Sequence, residues 1–557
     1  MELLSLSDAV ERHVRAGDSV HLVLGHTRWT AAARELCRQW WGRDPGWELQ
    51  MLSLGSLGGL FFAGGLVRRV VTTYSGDPFP TYTPNPIFQR AYESGDVEVE
   101  HWSILTFEQR LECAARGLPA MVTGSLVGSS MADNDAFATV DSPFGDGSKV
   151  GLVAPMTPDV ALLHAPVADV RGNVALAGPL MEGLWGAWAA RRGCVVTVDR
   201  VVDDLSPWGH LVQIPAHRVL AVAEVPFGGH PGGVFARDLP SESYGEDIAF
   251  WSACRAASRT DFAAWAREWC LDVPTQDEYL RRLGSERLDW LRGRSDPTSW
   301  RADVDAHPVD ESAAITAWET AAVLGAREVA ARIASTGADA VLAGAGVANL
   351  AAWVGVAWAG GDTRLTAELG LWGYTPTPAD PYIFNHRVFP GAEMLADASR
   401  VLGMLIGGPG TTSIGCLGAA QLDRHGNINS TTLVPSGGRF LVGSGGGNDV
   451  ASRADECVVV TRAGTNRLVE SSAYVTSPGR NVRTVCTDLG VLRRHDDELW
   501  LAAVPHGDDP LDVRVKAMVD ACGWPLQVER DVTELDAVRM DEVLALRRFD
   551  PERLFLD

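Results

Sequence analysis

The sequence predicts an α/β protein with two tandem, similar, open and mostly parallel sheets and a helical extension after the first. Three observations carry this. Short apolar strands alternate with helical stretches along most of the 557 residues. A set of landmarks occurs twice in the same order. Between the two sets, residues 241–292 are helical in pattern and rich in Trp, Arg and acids.

The first landmark is Asp18-Ser-Val-His-Leu-Val-Leu-Gly25, matched by Asp339-Ala-Val-Leu-Ala-Gly-Ala-Gly346. Asp169-Val-Arg-Gly-Asn-Val174 matches Asp423-Arg-His-Gly-Asn-Ile428, and Cys194-Val-Val-Thr197 matches Cys457-Val-Val-Val460. Ordered self-similarity of this kind marks a duplicated unit. Aligning the copies sets Leu49-Gln-Met-Leu-Ser-Leu-Gly55 against Leu365-Thr-Ala-Glu-Leu-Gly370, so Ser53 stands opposite Glu368. A fold that accepts Ser in one copy has no packing need for Glu in the other.

Along the first copy, Ser7 to Gly17 reads as a helix, Val20 to Leu24 as a strand and Thr30 to Trp41 as a helix. The apolar window Leu52 to Val67, broken by five glycines, reads as buried strand and loop. Val70–Thr73, Val160–His164 and Cys194–Val198 read as strands, with Pro179 to Arg192 as a helix between the last two. Gly284 to Ser312 is charged and contains Pro, and reads as a linker. In the second copy, Ala314–Ser335 and Leu350–Ala359 read as helices. Ala340–Ala343, a strand from Leu365, Gly415–Leu422, Arg439–Val442 and Cys457–Thr461 read as strands. The expected division is 1–300 and 301–557.

Composition narrows the function classes. A hydrophobic fraction of 46% with 21% charged residues describes a globular chain. A net charge of −23 repels phosphate backbones and anionic lipid, so nucleic-acid and membrane partners are disfavoured. Lys149 and Lys516 are the only lysines beside 46 arginines, which argues against Schiff-base chemistry. Nine scattered cysteines without a Cys-x-x-Cys pair fit a reducing compartment. The start Met-Glu-Leu-Leu-Ser is acidic where a signal peptide is basic. The expectation is a cytoplasmic protein that pairs with itself.

Glu368 follows a short strand and should project from its carboxyl end, where open α/β sheets carry their ligand crevice. A carboxylate there acts as nucleophile or general base; an exposed loop glutamate is the plain alternative. Gly443-Ser-Gly-Gly-Gly-Asn448 precedes a helix, and its N–H groups suit phosphate or an oxyanion. A tight structural turn fits it too. Gly407-Gly-Pro-Gly-Thr-Thr412 reads as a loop. In Asp423-Arg-His-Gly-Asn427 the partner copy has Arg171 in place of His425, so the shared feature is a turn. Arg28, in Gly25-His-Thr-Arg-Trp29, opposes the dipole of the following helix. Binding a substrate carboxylate explains it, and so does solvent exposure. The sequence carries no zinc or calcium signature and no Gly-x-Ser-x-Gly at a strand-to-helix turn.

Taken together the chain resembles a family I coenzyme A transferase with its α-like and β-like subunits fused, in the glutaconate-type branch. The α-like side rests on Glu100-His-Trp-Ser-Ile-Leu-Thr106, Gly124-Ser-Leu-Val-Gly-Ser129, Pro158–His164 and Ala168–Asn173. The β-like side rests on Ala367-Glu-Leu-Gly370, Leu417-Gly-Ala-Ala-Gln-Leu-Asp423, Gly426-Asn-Ile-Asn429 and Gly443-Ser-Gly-Gly446. The resemblance implies transfer of CoA between an acyl-CoA and a carboxylic acid through a glutamyl-CoA thioester, with CoA as substrate and no permanent cofactor. It places the catalytic glutamate at Glu368. Oxyanion or CoA contacts would fall to Gly418, Ala419, Gly443, Gly445, Gly446, Gly447 and Asn448, and the acyl pocket to Gly25, His26, Thr27, Arg28, Trp29 and Gly370. Two positions depart from the family: its Gly-Gly-Phe loop is Leu24-Gly25-His26, and Leu369 follows the glutamate. Some relatives on this fold instead hydrolyse or decarboxylate CoA thioesters or open a ring by hydrolysis, and several of those lack the β-side glutamate, so its presence here favours transfer. In such relatives an α-side glutamate can be the working residue, for which Glu100 and Glu108 are the candidates. A silent acyl-CoA-binding protein is the non-enzymatic alternative.

Overall fold

The computed structural model describes residues 1–25, 28–79, 81–145, 147–433 and 439–557. Two sheets organise them. The first holds β1 (Ser19–Leu22), β2 (Trp47–Ser53), β3 (Val67–Tyr74), β4 (Glu98–His101), β5 (Val160–Asp169), β6 (Cys194–Val202) and β7 (Val219–Glu224). The second holds β8 (Ala340–Ala343), β9 (Arg364–Ala367), β10 (Ser413–Gly418), β11 (Glu456–Val460) and β12 (Val482–Cys486), with further strands at both edges.

In space the first sheet runs β7–β6–β5–β1–β2–β3–β4, and the second contains β12–β11–β10–β8–β9. All neighbours within these runs are parallel. The order β7–β6–β5–β1–β2 therefore recurs as β12–β11–β10–β8–β9, with the same strand directions. Strands of this kind are covered on both faces, which is why they read as continuous apolar runs; β5 is buried along its whole length.

The duplicated turns repeat atom by atom. Asp169 Oδ1 accepts the N–H groups of Arg171 and Asn173 at 3.0 and 2.9 Å, and Asp423 Oδ1 accepts those of His425 and Asn427, both at 3.0 Å. Each Asp also accepts the side-chain amide of its Asn through Oδ2, at 2.9 and 3.0 Å. Gly172 and Gly426 take φ of +95° and +75°, the left-handed region that only glycine enters freely. His425 is thus a turn residue.

Several expectations are corrected. Pro179 to Arg192 is helical only over Trp185–Ala189, because Leu180 and Met181 give their N–H groups to Ala396 and Leu369 in the second half. Arg439–Val442 is no ladder strand. Phe440 makes one bridge to Thr432, while Val442 O accepts the Ser75 N–H of the first half. The window Leu52–Val67 holds a short helix, Gly59–Ala63, packed in the first core. The first helix spans Leu6–His13 and is capped by Ser5, not Ser7. The charged stretch 284–312 contains helices Ser285–Arg294 and Trp300–Ala306. One of its charges ties it to the second half: Asp303 takes Arg294 at 3.2 Å and Arg387 of the second half at 2.7 Å. Among the described residues no helix is long and apolar enough to cross a membrane.

Candidate active site

Glu368 stands one residue beyond β9, as Ser53 ends β2, and both line a single cavity of about 50 Å³. Equivalent strand ends from the two sheets meet there. The rest of the described wall comes from Gly25, Leu52, Thr73, Tyr74, Pro78, Tyr82, Ile104, Leu369, Phe384 and Gly445.

The loop Gly443–Asn448 reaches the cavity through Gly445. Gly445 gives its N–H to Thr73 O at 3.0 Å, and its own carbonyl accepts the Ile104 N–H at 3.1 Å. Helix Ile104–Ala115 of the first half begins at that point, capped by Ser103. Asp449 closes the junction: Oδ1 accepts the Ser103 hydroxyl at 2.6 Å and Oδ2 the Leu105 N–H at 3.0 Å. An acid at a helix N-terminus is favoured by the dipole as well as by these bonds. Asn448 bridges the same seam, accepting the Leu126 N–H at 2.9 Å and donating to Thr476 O at 2.8 Å.

Within this loop the Gly446 N–H donates to Glu368 Oε2 at 3.1 Å. A Cβ at 446 would lie 2.1 Å from that oxygen, so the approach requires glycine. The N–H groups of Gly443 and Gly447 go to Ser430 O and Ser444 O, and that of Asn448 to the Ser444 hydroxyl. Glu368 is half-buried. Burial first, and the neighbouring Asp449 second, push its carboxyl up to about 7, against the Gly446 bond that lowers it. A carboxylate of that basicity is a better nucleophile or base than an exposed one.

The other expected residues divide. Gly25 lines the cavity, whereas His26 and Thr27 lie outside the described residues. Arg28 is buried at 2% exposure, neither solvated nor on the described wall. Burial lowers its pKa to about 10, opposed by Tyr244, Asp199, Glu246 and Glu182. Trp29 is a core side chain whose indole N–H donates to Gly25 O. Gly370, at φ +114°, passes close to the Ala396 carbonyl. Gly418 ends β10, and Ala419 O accepts the Thr461 hydroxyl at 3.1 Å; neither is on the described wall. Glu100 is held by Arg69 and Arg110. Glu108 is buried, its Oε2 without a hydrogen-bond partner, and burial raises its pKa well above the carboxylate range.

Two buried polar groups near the cavity escaped the sequence reading. Glu182 Oε1 accepts the N–H groups of Leu24 and Gly25 at 2.6 and 3.0 Å, so a buried carboxyl fastens the turn after β1. Burial raises its pKa to about 7. The Tyr82 hydroxyl is buried beside Glu368 and has no hydrogen-bond partner among the described residues. Neither is marked by any local motif. Among the described residues no cluster of His, Cys, Asp or Glu is arranged to hold a metal.

A family model described as coenzyme A transferase matches residues 4–224. The chain is 32% identical to the A subunit of 3-oxoadipate CoA-transferase from Pseudomonas knackmussii, over 51% of this chain and 98% of the relative. The chain belongs to the coenzyme A transferase family. This CoA-transferase is also 27% identical to the A subunit of glutaconate CoA-transferase from Acidaminococcus fermentans, over 52% of the chain and 93% of the relative. It is 25% identical to the B subunit of the Pseudomonas enzyme, over 34% of the chain and 78% of the relative. A solved acyl-CoA transferase from Escherichia coli O157:H7 shares the fold of the CoA-transferase over its full length, with TM-score 0.63 at 16% identity.

Proposed function

We propose that this CoA-transferase joins an A-like half, residues 1–300, to a B-like half, residues 301–557, and that Glu368 is its nucleophile. The supporting observation is the one carboxyl on the described cavity wall, raised to about 7 and aimed by one N–H. Glu368 attacks the thioester carbonyl carbon of an acyl-CoA. The C–S bond breaks, leaving an acyl-glutamyl anhydride and CoA thiolate. The thiolate attacks the glutamyl carbonyl, the first acid leaves as carboxylate, and a glutamyl-CoA thioester remains. An acceptor carboxylate then attacks that thioester and displaces the thiolate. The thiolate takes the new acyl group from the second anhydride, which frees Glu368. Bringing the reactants to one seam makes each step effectively intramolecular.

Hydrolysis of the thioester, with Glu368 as base for water, is the competing reaction. The two separate by following free thiol with and without an acceptor acid. Acceptor-dependent formation of a second acyl-CoA, without free CoA accumulating, supports transfer. Sustained CoA release in the absence of acceptor contradicts it.

A further inference from the structure

The wall of the Glu368 cavity carries information about the acyl group, given the reading of Glu368 as nucleophile. Leu52, Pro78, Ile104, Leu369 and Phe384 present apolar surface to it. Two nearby guanidinium groups are engaged elsewhere: Arg259 pairs with Asp77 at 2.7 Å and Arg255 reaches the same carboxylate at 3.6 Å. Arg28 is buried off the described wall, its Nη1 without a hydrogen-bond partner among the described residues. No arginine or lysine is on the described wall. The ionisable side chains there are Glu368 and two tyrosines, with Asp449 immediately behind. A second carboxylate on the substrate would enter this space unpaired and beside like charge, and a buried unpaired charge is strongly disfavoured.

One polar group is nevertheless unused. The Tyr74 hydroxyl donates to Asp77 O at 2.9 Å, but the neighbouring Tyr82 hydroxyl is buried and has no partner among the described residues. Its ring is fixed by an edge contact to Tyr74, centroids 6.2 Å apart, and a stack on Phe555 at 6.4 Å. A buried phenol without an acceptor is destabilising, and a ligand oxygen that accepts from it removes that penalty. The volume, about 50 Å³, corresponds to roughly three to five waters, or the heavy atoms of a short chain.

We propose that the site takes a short, uncharged acyl group carrying one oxygen that accepts a hydrogen bond from Tyr82, and excludes acyl groups with a second carboxylate. The test compares four-carbon thioesters: butyryl-CoA, 3- and 4-hydroxybutyryl-CoA, and succinyl-CoA, each with acetate as acceptor. The expected kcat/KM is highest for one of the hydroxyacyl substrates, about tenfold above butyryl, with succinyl more than about a hundredfold below butyryl. Tyr82→Phe should collapse the hydroxyacyl-to-butyryl ratio towards one. Preference for succinyl-CoA, or a ratio unchanged in Tyr82→Phe, overturns the proposal while leaving Glu368 as nucleophile. Absence of exchange with all four thioesters overturns this proposal, while the Glu368 reading stands or falls on a covalent CoA adduct formed with an acyl-CoA the enzyme accepts.

Discussion

Gly446 gives its backbone N–H to Glu368 Oε2 at 3.1 Å, so close that a methyl group at 446 would sit 2.1 Å from the same oxygen. The obstructed atom is the far end of a flexible side chain. Gly446→Ala should therefore fold normally and push the carboxylate aside. A displacement of about 1 Å in a reacting group lowers rates by about a hundredfold. The expected result is a kcat loss of that order with an unchanged melting temperature, measured by CoA exchange and calorimetry.

The raised carboxyl of Glu368 sets the pH dependence. If its ionised form attacks, kcat/KM rises with pH and levels off above about 7, the value to which burial raises the free enzyme's group. Stability has the opposite trend. The folded state holds this proton more tightly than the unfolded chain, whose glutamates titrate at about 4.3. The advantage is complete below that value and is lost as pH rises through about 7. Urea titrations at pH 5 and 8 should show a smaller loss of stability with pH in Glu368→Gln than in wild type.

Asp449 touches both effects. It ties the two halves through Ser103 and Leu105 and repels the charge on Glu368. Asp449→Asn keeps one acceptor and removes the repulsion. The acid limb of the kcat/KM profile should move to lower pH, with a stability loss of about 1–3 kcal/mol from the weakened junction.

Glu182 acts through Gly25, which lines the cavity. It fastens Leu24 and Gly25, both at positive φ, a backbone state that Leu occupies only when held. Glu182→Gln retains an acceptor oxygen and should keep most activity. Glu182→Ala should raise KM for acyl-CoA and lower kcat by at least about tenfold. Equal effects of the two substitutions would contradict a positioning role.

Much of the frame was legible because it depends on local pattern. Strand order follows the repeated landmarks, and the Asp169 and Asp423 turns follow from Gly and Asn at fixed offsets. Glu368 was legible as an asymmetry, since Ser53 holds the equivalent strand end. What escaped depends on partners far along the chain. Asp449 meets Ser103 across 346 positions, and Glu182 meets Leu24 across 158. Arg28 reads as solvated or substrate-facing until Asp199, Tyr244 and Glu246 are seen around it. The charged stretch near residue 300 reads as linker until Asp303 finds Arg387.

The central claim is a covalent one, and intact-mass analysis tests it most directly. Wild-type protein mixed with an acyl-CoA it accepts should gain the mass of CoA as a thioester. Borohydride should remove that CoA by reducing the carbonyl, and peptide mapping should place the reduced residue at Glu368, with nothing seen in Glu368→Gln. Acceptor-dependent turnover with no adduct at Glu368, or an adduct mapped to another carboxylate such as Glu108, would contradict the account.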